Sequence, residues 1–368
     1  MLRAGIIGLP NVGKSTLFNA LTRSHKAPAE NYPFCTIEPN VGVVSVPDPR
    51  VERVAAVFKS PKAVHAAIEF VDIAGLVKDA HKGEGLGNKF LSYIREVDAL
   101  VEVVRCFDDP NVVHVTGKVD PISDIETVTT ELVFADLETL DRHAQAVAKK
   151  LHAHDKTAEV EMALLKRVQA HLNTGKPAVM LDFTHDEQAL VKQWCLLTTK
   201  PEIFACNVAE AALANPDSDP HVTAVRHYAE THRASEAVVI SAALEAELAD
   251  LSPQEAREYL DGLGVKESGV AQLIRATYHL LRLRTFFSAN DKEAHAWTIA
   301  EGTTAPQAAG VIHTDFARGF ICAETVRFAE LDADGSMHAA REHGHIHQHG
   351  RDYVVQDGDV ILFKFNVT

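Results

Sequence analysis

The feature that most constrains this chain is a glycine-rich turn at residues 8–16, Gly-Leu-Pro-Asn-Val-Gly-Lys-Ser-Thr. It follows an apolar run at residues 4–7, which predicts a buried strand, and it precedes a helical pattern at residues 17–21. A strand, a turn of the form G-x-x-x-x-G-K-S/T and a helix N-terminus together form a phosphate-binding loop. The sequence therefore predicts an α/β domain that grips the phosphates of a nucleotide at its first turn.

Each position of this turn has a chemical role. Gly8 and Gly13 let the backbone wrap inward, so that successive N–H groups and the dipole of the next helix face the phosphates. Lys14 supplies a mobile positive charge, and the hydroxyl of Ser15 is placed to bind Mg²⁺. The predicted phosphate-binding residues of this turn are Asn11, Val12, Gly13, Lys14, Ser15 and Thr16.

Two downstream segments predict further magnesium and phosphate contacts. Thr36 lies in a proline-punctuated loop, where switch-type nucleotidases place a second Mg²⁺ ligand. Asp72 ends the predicted strand 67–71 and begins a D-x-x-G motif; we expect it to reach Mg²⁺ through water. The N–H of Gly75 would meet the γ-phosphate, and the glycine-rich run at residues 82–91 indicates a segment that rearranges.

The base pocket is predicted at the ends of two later strands, 201–206 and 237–240. Nucleotidases that use guanine carry N-K-x-D at the first place, whereas here Val208 replaces the Lys and Glu210 replaces the Asp. Glu is a methylene longer than Asp, so the paired grip on guanine is lost and adenine is favoured. The predicted base-binding residues are Asn207, Val208, Glu210, Ser241 and Ala242.

A helical segment separates these two halves of the nucleotide site. Apolar residues from Val133 to Leu151 alternate steps of four and three, which predicts a seam between packed helices that turn near residues 154–156. A third helix is predicted to start at Thr184, three residues before Glu187, as a capping box. A second set of apolar positions is assigned to the inner face of the second helix: Val160, Leu164, Val168 and Leu172. The basic residues of this arm form either a docking surface or an ordinary solvated face: Lys149, Lys150, Lys156, Lys166 and Arg167.

The C-terminal part predicts a strand-rich module of about 85 residues, which ends in a hairpin around the Asp357-Gly358 turn. Four histidines alternate within it, as on one face of an extended segment, and they suit either a transition metal or a hydrated loop. The pattern identifies no carboxylate or thiol as a partner ligand, so we favour the loop. These residues are His343, His345, His347 and His349.

Composition sets limits on location and partners. The chain has 368 residues, enough for two or three domains, and a formal charge of −15, which disfavours indiscriminate nucleic-acid binding. No apolar run reaches the ~18–20 residues of a membrane span, and the N-terminus lacks a signal-peptide pattern. The five scattered cysteines fit neither a disulfide framework nor a zinc ribbon. We therefore expect a cytoplasmic protein with reduced thiols, no membrane partner and no sequence-specific DNA.

Taken together, these motifs resemble the Obg-like ATPase (YchF) family. The resemblance implies a discontinuous Ras-like P-loop domain (1–125 and 200–278), an inserted helical coiled-coil arm (126–199) and a C-terminal ubiquitin-like β-grasp (TGS) domain (279–368). It also implies slow hydrolysis of ATP to ADP and phosphate, with Mg²⁺, and association with the 70S ribosome or its large subunit in translation or stress response. The motifs that carry it are N-V-G-K-S-T, P-F-C-T-I-E-P-N, D-I-A-G-L-V-K-D-A-H-K-G-E-G-L-G-N-K-F-L, N-V-A-E and S-A-A.

The resemblance also identifies catalytic candidates. Ras-like enzymes orient water with a Gln after D-x-x-G, but this chain has Leu76, which forms no hydrogen bond through its side chain. In similar proteins a histidine on the loop after the fourth strand is the proposed substitute, and His114 occupies that place; Lys14 is the other catalytic candidate. Asn11 matches an asparagine that holds K⁺ in potassium-stimulated relatives, so K⁺ is a second cofactor to test.

Three other functions fit parts of this pattern. An Obg-type GTPase would differ in base preference, which competition between ATP and GTP resolves. A non-enzymatic adaptor gated by nucleotide is favoured by Leu76 and would show no turnover. A small-molecule kinase lacks a recognisable acceptor base in the sequence, and its products would include more than ADP and phosphate.

Overall fold

The computed structural model describes residues 2–24, 40–73, 86–110, 112, 117–151, 156–232 and 236–366. They form two compact units. The first takes the described residues within 1–24, 38–42 and 69–277, and the second those within 25–37, 43–68 and 278–368. Among the described residues, none of the helices combines the length and apolarity needed to cross a bilayer.

Strands and helices are numbered along the chain. The strands are β1 (Arg3–Ile7), β2 (Val41–Ser45), β3 (Lys62–Val64), β4 (Ala67–Asp72), β5 (Ala99–Arg105), β6 (Glu202–Asn207), β7 (Ala237–Ile240), β8 (Leu283–Ala289), β9 (Glu293–Ala300), β10 (Phe320–Arg327), β11 (His347–His349) and β12 (Asp359–Phe365). The helices are α1 (Lys14–Ser24), α2 (Arg50–Phe58), α3 (Leu86–Glu96), α4 (Pro121–Leu151), α5 (Lys156–Leu172), α6 (His185–Trp194), α7 (Pro220–Thr231), α8 (Ala242–Leu248), α9 (Pro253–Gly262), α10 (Gly269–Leu280), α11 (Ala305–Ile312), α12 (Thr314–Arg318), α13 (Phe328–Asp334) and α14 (Met337–Glu342).

The first sheet has the order β2-β4-β1-β5-β6-β7. From β4 to β7 the neighbouring strands run parallel, and all seven residues of β5 are buried. Parallel strands covered on both faces consist of nearly continuous apolar runs, which is the pattern of β5. The strands predicted for this sheet are confirmed with small shifts at their ends, and the P-loop strand β1 lies inside it.

The helical arm packs as the spacing predicted, with one exception. The seam of α4 is confirmed, since Val133, Leu140 and Val147 are all 3% exposed or less. The prediction for Val160 is wrong, because its side chain is 63% exposed. Successive steps of four residues advance about 40° around a helix, so three such steps carry Val160 away from the face of Leu172.

The capping box of the third helix is confirmed. The Glu187 N–H donates to the Thr184 hydroxyl at 3.3 Å, and the Thr184 N–H donates to the Glu187 carboxylate at 2.9 Å. Helix α6 accordingly begins at His185. The predicted turn at 154–156 falls largely outside the described residues.

The second unit holds a sheet with the order β11-β10-β12-β8-β9-β3, and α11 packs on its core. This is the predicted mixed α/β arrangement, but the terminal hairpin is wrong: β12 pairs antiparallel with β10 and parallel with β8. The residues before the Asp357-Gly358 turn bond elsewhere. The Val355 N–H donates to the Thr303 carbonyl at 3.0 Å, and Val354 forms an isolated antiparallel bridge with Thr304.

Residues 43–68 also belong to the second unit. Here β3 pairs parallel with β9, and Arg50 on α2 contacts both Asp48 and Asp357 at 2.7 Å. The division predicted from the sequence placed these residues in the nucleotide domain. That three-part division stays a prediction, and the packed units differ from it in this segment.

Candidate nucleotide-binding site

The loop between β1 and α1 has the backbone that the phosphate-binding motif requires. Gly8 and Gly13 have φ values of 138° and 101°. A Cβ on Gly13 would lie 2.3 Å from the Asn207 amide nitrogen, and one on Gly8 would lie 2.6 Å from a backbone oxygen of β5. Glycine is therefore required at both places, for conformation and for space. The Leu17 N–H donates to the Gly13 carbonyl at 2.9 Å and starts the helix.

Lys14 lies across this loop and is only 8% exposed. Its ammonium donates to the Leu9 carbonyl at 2.6 Å, which holds the side chain over the turn. Burial lowers the pKa of Lys14 to about 8, although the negative charges of Asp72 and Glu102 act to raise it. A cation with so little hydration binds phosphate oxygens strongly, because it has little water to lose.

Ser15 and Asp72 meet beside Lys14. The Ser15 hydroxyl donates to Asp72 Oδ2 at 3.3 Å. The contact arises because β4 lies next to β1, with Asp72 opposite Ile6 in the register. A hydroxyl and a carboxylate are hard oxygen donors of the kind that Mg²⁺ prefers, so the pair fits this ion. Ser15 is exposed and Asp72 half-buried, which leaves room for phosphate oxygens and water.

The side chain of Asn207 joins the two halves of the site. Its Nδ2 donates to the Val12 carbonyl at 2.9 Å, and its Oδ1 accepts from the Ala242 N–H at 2.9 Å. Asn207 is 4% exposed. Rather than facing a base directly, this side chain therefore connects the phosphate loop to the start of α8.

The other predicted base-binding residues lie around Asn207. Val208, Ser241 and Ala242 are each 2% exposed, so their side chains lie in the core, and the Val208 N–H donates to the Ile240 carbonyl at 2.8 Å. Glu210 is half-buried, and its Oε1 accepts from the Tyr259 hydroxyl at 3.0 Å. Tyr259 is a partner that the sequence did not suggest, and its bond holds Glu210 to α9.

Changing Asn207 to alanine is expected to weaken nucleotide binding about 10-fold, because two buried hydrogen bonds between the phosphate loop and α8 are lost. Dissociation constants from fluorescent-nucleotide titration would measure this effect. Asn215→Ala, on a solvent-facing turn of the same unit, is the control and is expected to bind normally. Unchanged affinity in Asn207→Ala would show that the loop keeps its shape without this bridge.

Arg105 is a positioning residue that the sequence reasoning missed. It is 2% exposed at the end of β5, and its guanidinium donates to the carbonyls of Phe107 and Val112 at 3.0 Å. Asp109 supplies a third carbonyl at 3.4 Å. The side chain thus fixes the backbone of the loop that leads to His114. A charged residue in a mostly apolar strand was the available signal.

Glu102 and Glu202 form a second missed pair, on the neighbouring strands β5 and β6. Their carboxyl groups hydrogen-bond to each other, and Glu102 is 1% exposed. Burial raises the pKa of Glu202 to about 7. Burial, followed by the charge of Glu202, raises the pKa of Glu102 well above its usual value. The pair therefore holds a proton close to the charge of Lys14 at neutral pH.

This pair predicts a pH effect on stability. The folded protein holds a proton on Glu202 up to about pH 7, whereas the unfolded chain loses it near the ordinary value of 4.5. The contribution of Glu202 to the free energy of unfolding therefore falls as pH rises from 4.5 to about 7. Glu202→Gln is expected to be more stable than the wild type by about 1–3 kcal/mol at pH 8, with a smaller difference at pH 5.5. Urea unfolding at both pH values measures this, with Glu138→Gln on the exposed surface as control. An equal difference at both pH values would contradict the assignment.

Thr36, Gly75 and His114 lie outside the described residues, as does Leu76. Their predicted roles stay predictions. The structure brings together Lys14, Ser15 and Asp72 on the phosphate side and places Asn207 between that side and the predicted base pocket.

Two family models and full-length relatives match this chain. Residues 3–157 match a family described as 50S ribosome-binding GTPase, and residues 283–366 match the YchF-GTPase_C family, described as a protein of unknown function (DUF933). The chain is 51% identical to the ribosome-binding ATPase YchF of Bacillus subtilis, with 100% of each chain covered. It is 41% identical to Obg-like ATPase 1 of Oryza sativa, over 100% of this chain and 93% of that one.

A solved structure extends the likeness to the whole fold. The YchF GTPase of Schizosaccharomyces pombe superimposes with a TM-score of 0.87 at 35% identity, covering 99% of this chain and 97% of that one. The sequence similarity to the Bacillus subtilis protein covers the full length of both chains. The resemblance carried by the motifs is therefore confirmed, and this chain belongs to the YchF family of P-loop proteins.

Proposed function

We propose that this protein is a ribosome-associated switch that binds ATP and hydrolyses it slowly to ADP and phosphate. The observation that carries the proposal is the convergence of Lys14, Ser15 and Asp72 at the ends of adjacent strands. Relatives that match the whole chain are named ribosome-binding ATPase, which supports both the reaction and the partner.

Mg²⁺ fits the oxygen pair of Ser15 and Asp72, with Thr36 as a further proposed ligand. When bound there, the ion neutralises charge on the phosphates. Lys14 binds the same phosphates from the other side of the loop. We assign K⁺ to Asn11, which has a φ of 63° and an exposed side chain beside the phosphate loop. Equal turnover in Na⁺ and K⁺ would remove that assignment.

His114 is the proposed group that positions or deprotonates the attacking water, since Leu76 offers no hydrogen bond there. Support comes from Arg105, whose three backbone contacts fix the start of the same loop. A loop held at one end costs less entropy to close over a nucleotide than one free at both. Arg105 therefore acts through the loop and has no direct role in the reaction.

The preference for ATP rests on Val208 and Glu210. Val208 has no charged stem to cover a guanine, and it is buried. The Glu210 carboxylate is engaged by the Tyr259 hydroxyl at 3.0 Å. Both features remove contacts that guanine requires, which favours adenine.

Competition between ATP and GTP at equal Mg²⁺, together with phosphate release by the wild type and His114→Ala, tests the proposal. We expect ATP to displace a fluorescent nucleotide at least 10-fold better than GTP. We expect turnover to fall about 100-fold in His114→Ala, with binding retained. Tight GTP and negligible ATP uptake would favour an Obg-type GTPase. An absence of phosphate release from either protein would favour a nucleotide-gated adaptor.

The large ribosomal subunit is the proposed site of docking, and the formal charge of −15 argues against sequence-specific DNA as a partner. Sedimentation with separated subunits and with 70S ribosomes would check this. Binding to the small subunit alone would contradict it.

A further inference from the structure

The segment between α13 and β11 brings one carboxylate and two imidazoles to one point of the second unit. Asp334 is the last residue of α13, and Gly335 follows it in the left-handed conformation with a φ of 68°. His343 caps the C-terminus of α14, and His345 lies just beyond it. The chain thus turns back, so that side chains nine and eleven positions apart meet.

The contacts in this cluster are short. His343 Nδ1 lies 2.6 Å from Asp334 Oδ1, and His345 Nδ1 lies 2.7 Å from Asp334 Oδ2. One ligating atom from each of the three residues lies within 4.8 Å of the others. The Asp334 side chain is 5% exposed, whereas those of His343 and His345 are 58% and 37% exposed. The carboxylate is therefore at the base of a cluster whose imidazoles remain open to solvent.

The electrostatics favour a cation at this place. Hydrogen bonds from His345 and His343 lower the pKa of Asp334, and the carboxylate in turn raises the pKa of His345. Glu330 lies one helical turn before Asp334, and its charge also acts on His345. The Oε2 atom of Glu330 is buried and has no hydrogen-bond partner among the residues that the structure describes. A cation bound here would replace the protons that the His343 and His345 nitrogens share with Asp334.

We infer that Asp334, His343 and His345 form a binding site for one first-row divalent cation of the zinc type. Two imidazoles and a carboxylate are the donor set of three-ligand zinc sites, in which water takes the fourth position. Ligand atoms about 2.0 Å from a tetrahedral ion lie about 3.3 Å apart. The two short contacts end on different oxygens of Asp334, so rotation of the exposed imidazoles has to bring both nitrogens to about 3.3 Å from the one oxygen that binds the ion.

The nearby histidines provide matched controls. His347 and His349 lie on β11, and His349 stacks on Tyr353 with ring centroids 3.8 Å apart. Neither belongs to the three-residue cluster. His343 and His345 therefore contact Asp334, whereas His347 and His349 lie on a strand. The prediction that all four histidines line one face of an extended segment is wrong.

The experiment uses the full chain with its affinity tag removed, without nucleotide, and in millimolar Mg²⁺ to occupy the Ser15–Asp72 pair. Cys35 and Cys195 are changed to serine so that thiolates do not compete. We expect Co²⁺ to bind in one equivalent with the visible absorption of a four-coordinate ion, and Zn²⁺ to displace it. His343→Ala and His345→Ala are expected to weaken binding at least 10-fold, and His347→Ala to change it less than about twofold.

A second readout guards against simple loss of structure. Zn²⁺ is expected to raise the thermal midpoint of the wild type and of His347→Ala, but not that of His345→Ala. His343 is more than half exposed, so replacing it leaves the core unchanged. Equal metal affinity in the His343, His345 and His347 variants, or no binding at about 100 μM Co²⁺, would overturn the inference. Because the cluster lies apart from the phosphate loop along the chain, Lys14→Ala is expected to keep the metal site.

Discussion

Replacing Lys14 with alanine is expected to weaken ATP binding and turnover by about 100-fold or more, the largest functional loss of any change considered. The reason is the geometry of its ammonium group, which is nearly buried and bonded to the Leu9 carbonyl above the phosphate loop. A lysine in this place is the single mobile cation among fixed backbone donors. Equilibrium titration with a fluorescent ATP analogue and phosphate release at saturating ATP would measure the two losses.

The unliganded protein is expected to keep its stability when Lys14 is removed. Burial lowers the pKa of Lys14 to about 8, so the charged form carries a desolvation cost in the folded state below that pH. Alanine relieves the cost while it loses one hydrogen bond, and the thermal midpoint should change by a few degrees at most. Arg23→Ala, on the exposed end of the same helix, is the control for both measurements. Retained ATP affinity in Lys14→Ala would remove the basis of the proposed function.

Local patterns account for the backbone geometry of the phosphate loop. The strand, turn and helix around Gly13 are consecutive in the chain, so their geometry follows from spacing and glycine placement alone. Asp72 could be predicted because it ends a buried strand, and parallel strands bring their carboxyl ends to one edge. The approach of Asp72 to Ser15 follows from that rule.

Long-range pairing explains most of what the sequence did not reveal. The sequence analysis assigned residues 43–68 to the nucleotide domain. However, β3 in this segment pairs with β9, which lies more than two hundred positions later in the chain. No local pattern encodes such a partner. Asp334 was missed as a companion of the histidines for a more local reason, because α14 lies between it and them.

Buried charges were the second kind of omission. Arg105 and Asp136 lie in segments with apolar spacing, and each is satisfied by backbone groups of another segment. Periodicity records which positions face inward, but it does not report what a polar group will meet there. Such residues mark places where the fold depends on one side chain.

Asp136 shows how large that dependence is expected to be. It is fully buried on α4, and its carboxylate accepts from the N–H groups of Leu197 and Thr198 at 2.8 Å. The Thr198 hydroxyl donates to it at 2.6 Å and accepts from the Ala178 N–H at 3.1 Å. These bonds connect the long helix to the segment that returns the chain to β6.

Asp136→Ala is therefore expected to lower the free energy of unfolding of the first unit by about 3–5 kcal/mol, because three buried donors lose their acceptor together. Asp136→Asn retains the shape and one acceptor oxygen, and we expect about half that loss. Asp141 lies on the same helix as Asp136 and accepts an exposed hydrogen bond from Gln169 of α5. Asp141→Ala is the control and is expected to cost less than about 0.5 kcal/mol. Urea unfolding gives the energies, and hydrogen exchange at Leu197 and Thr198 localises them. If exchange there stays as slow in Asp136→Ala as in the wild type, the segment is held by apolar packing and the carboxylate is dispensable.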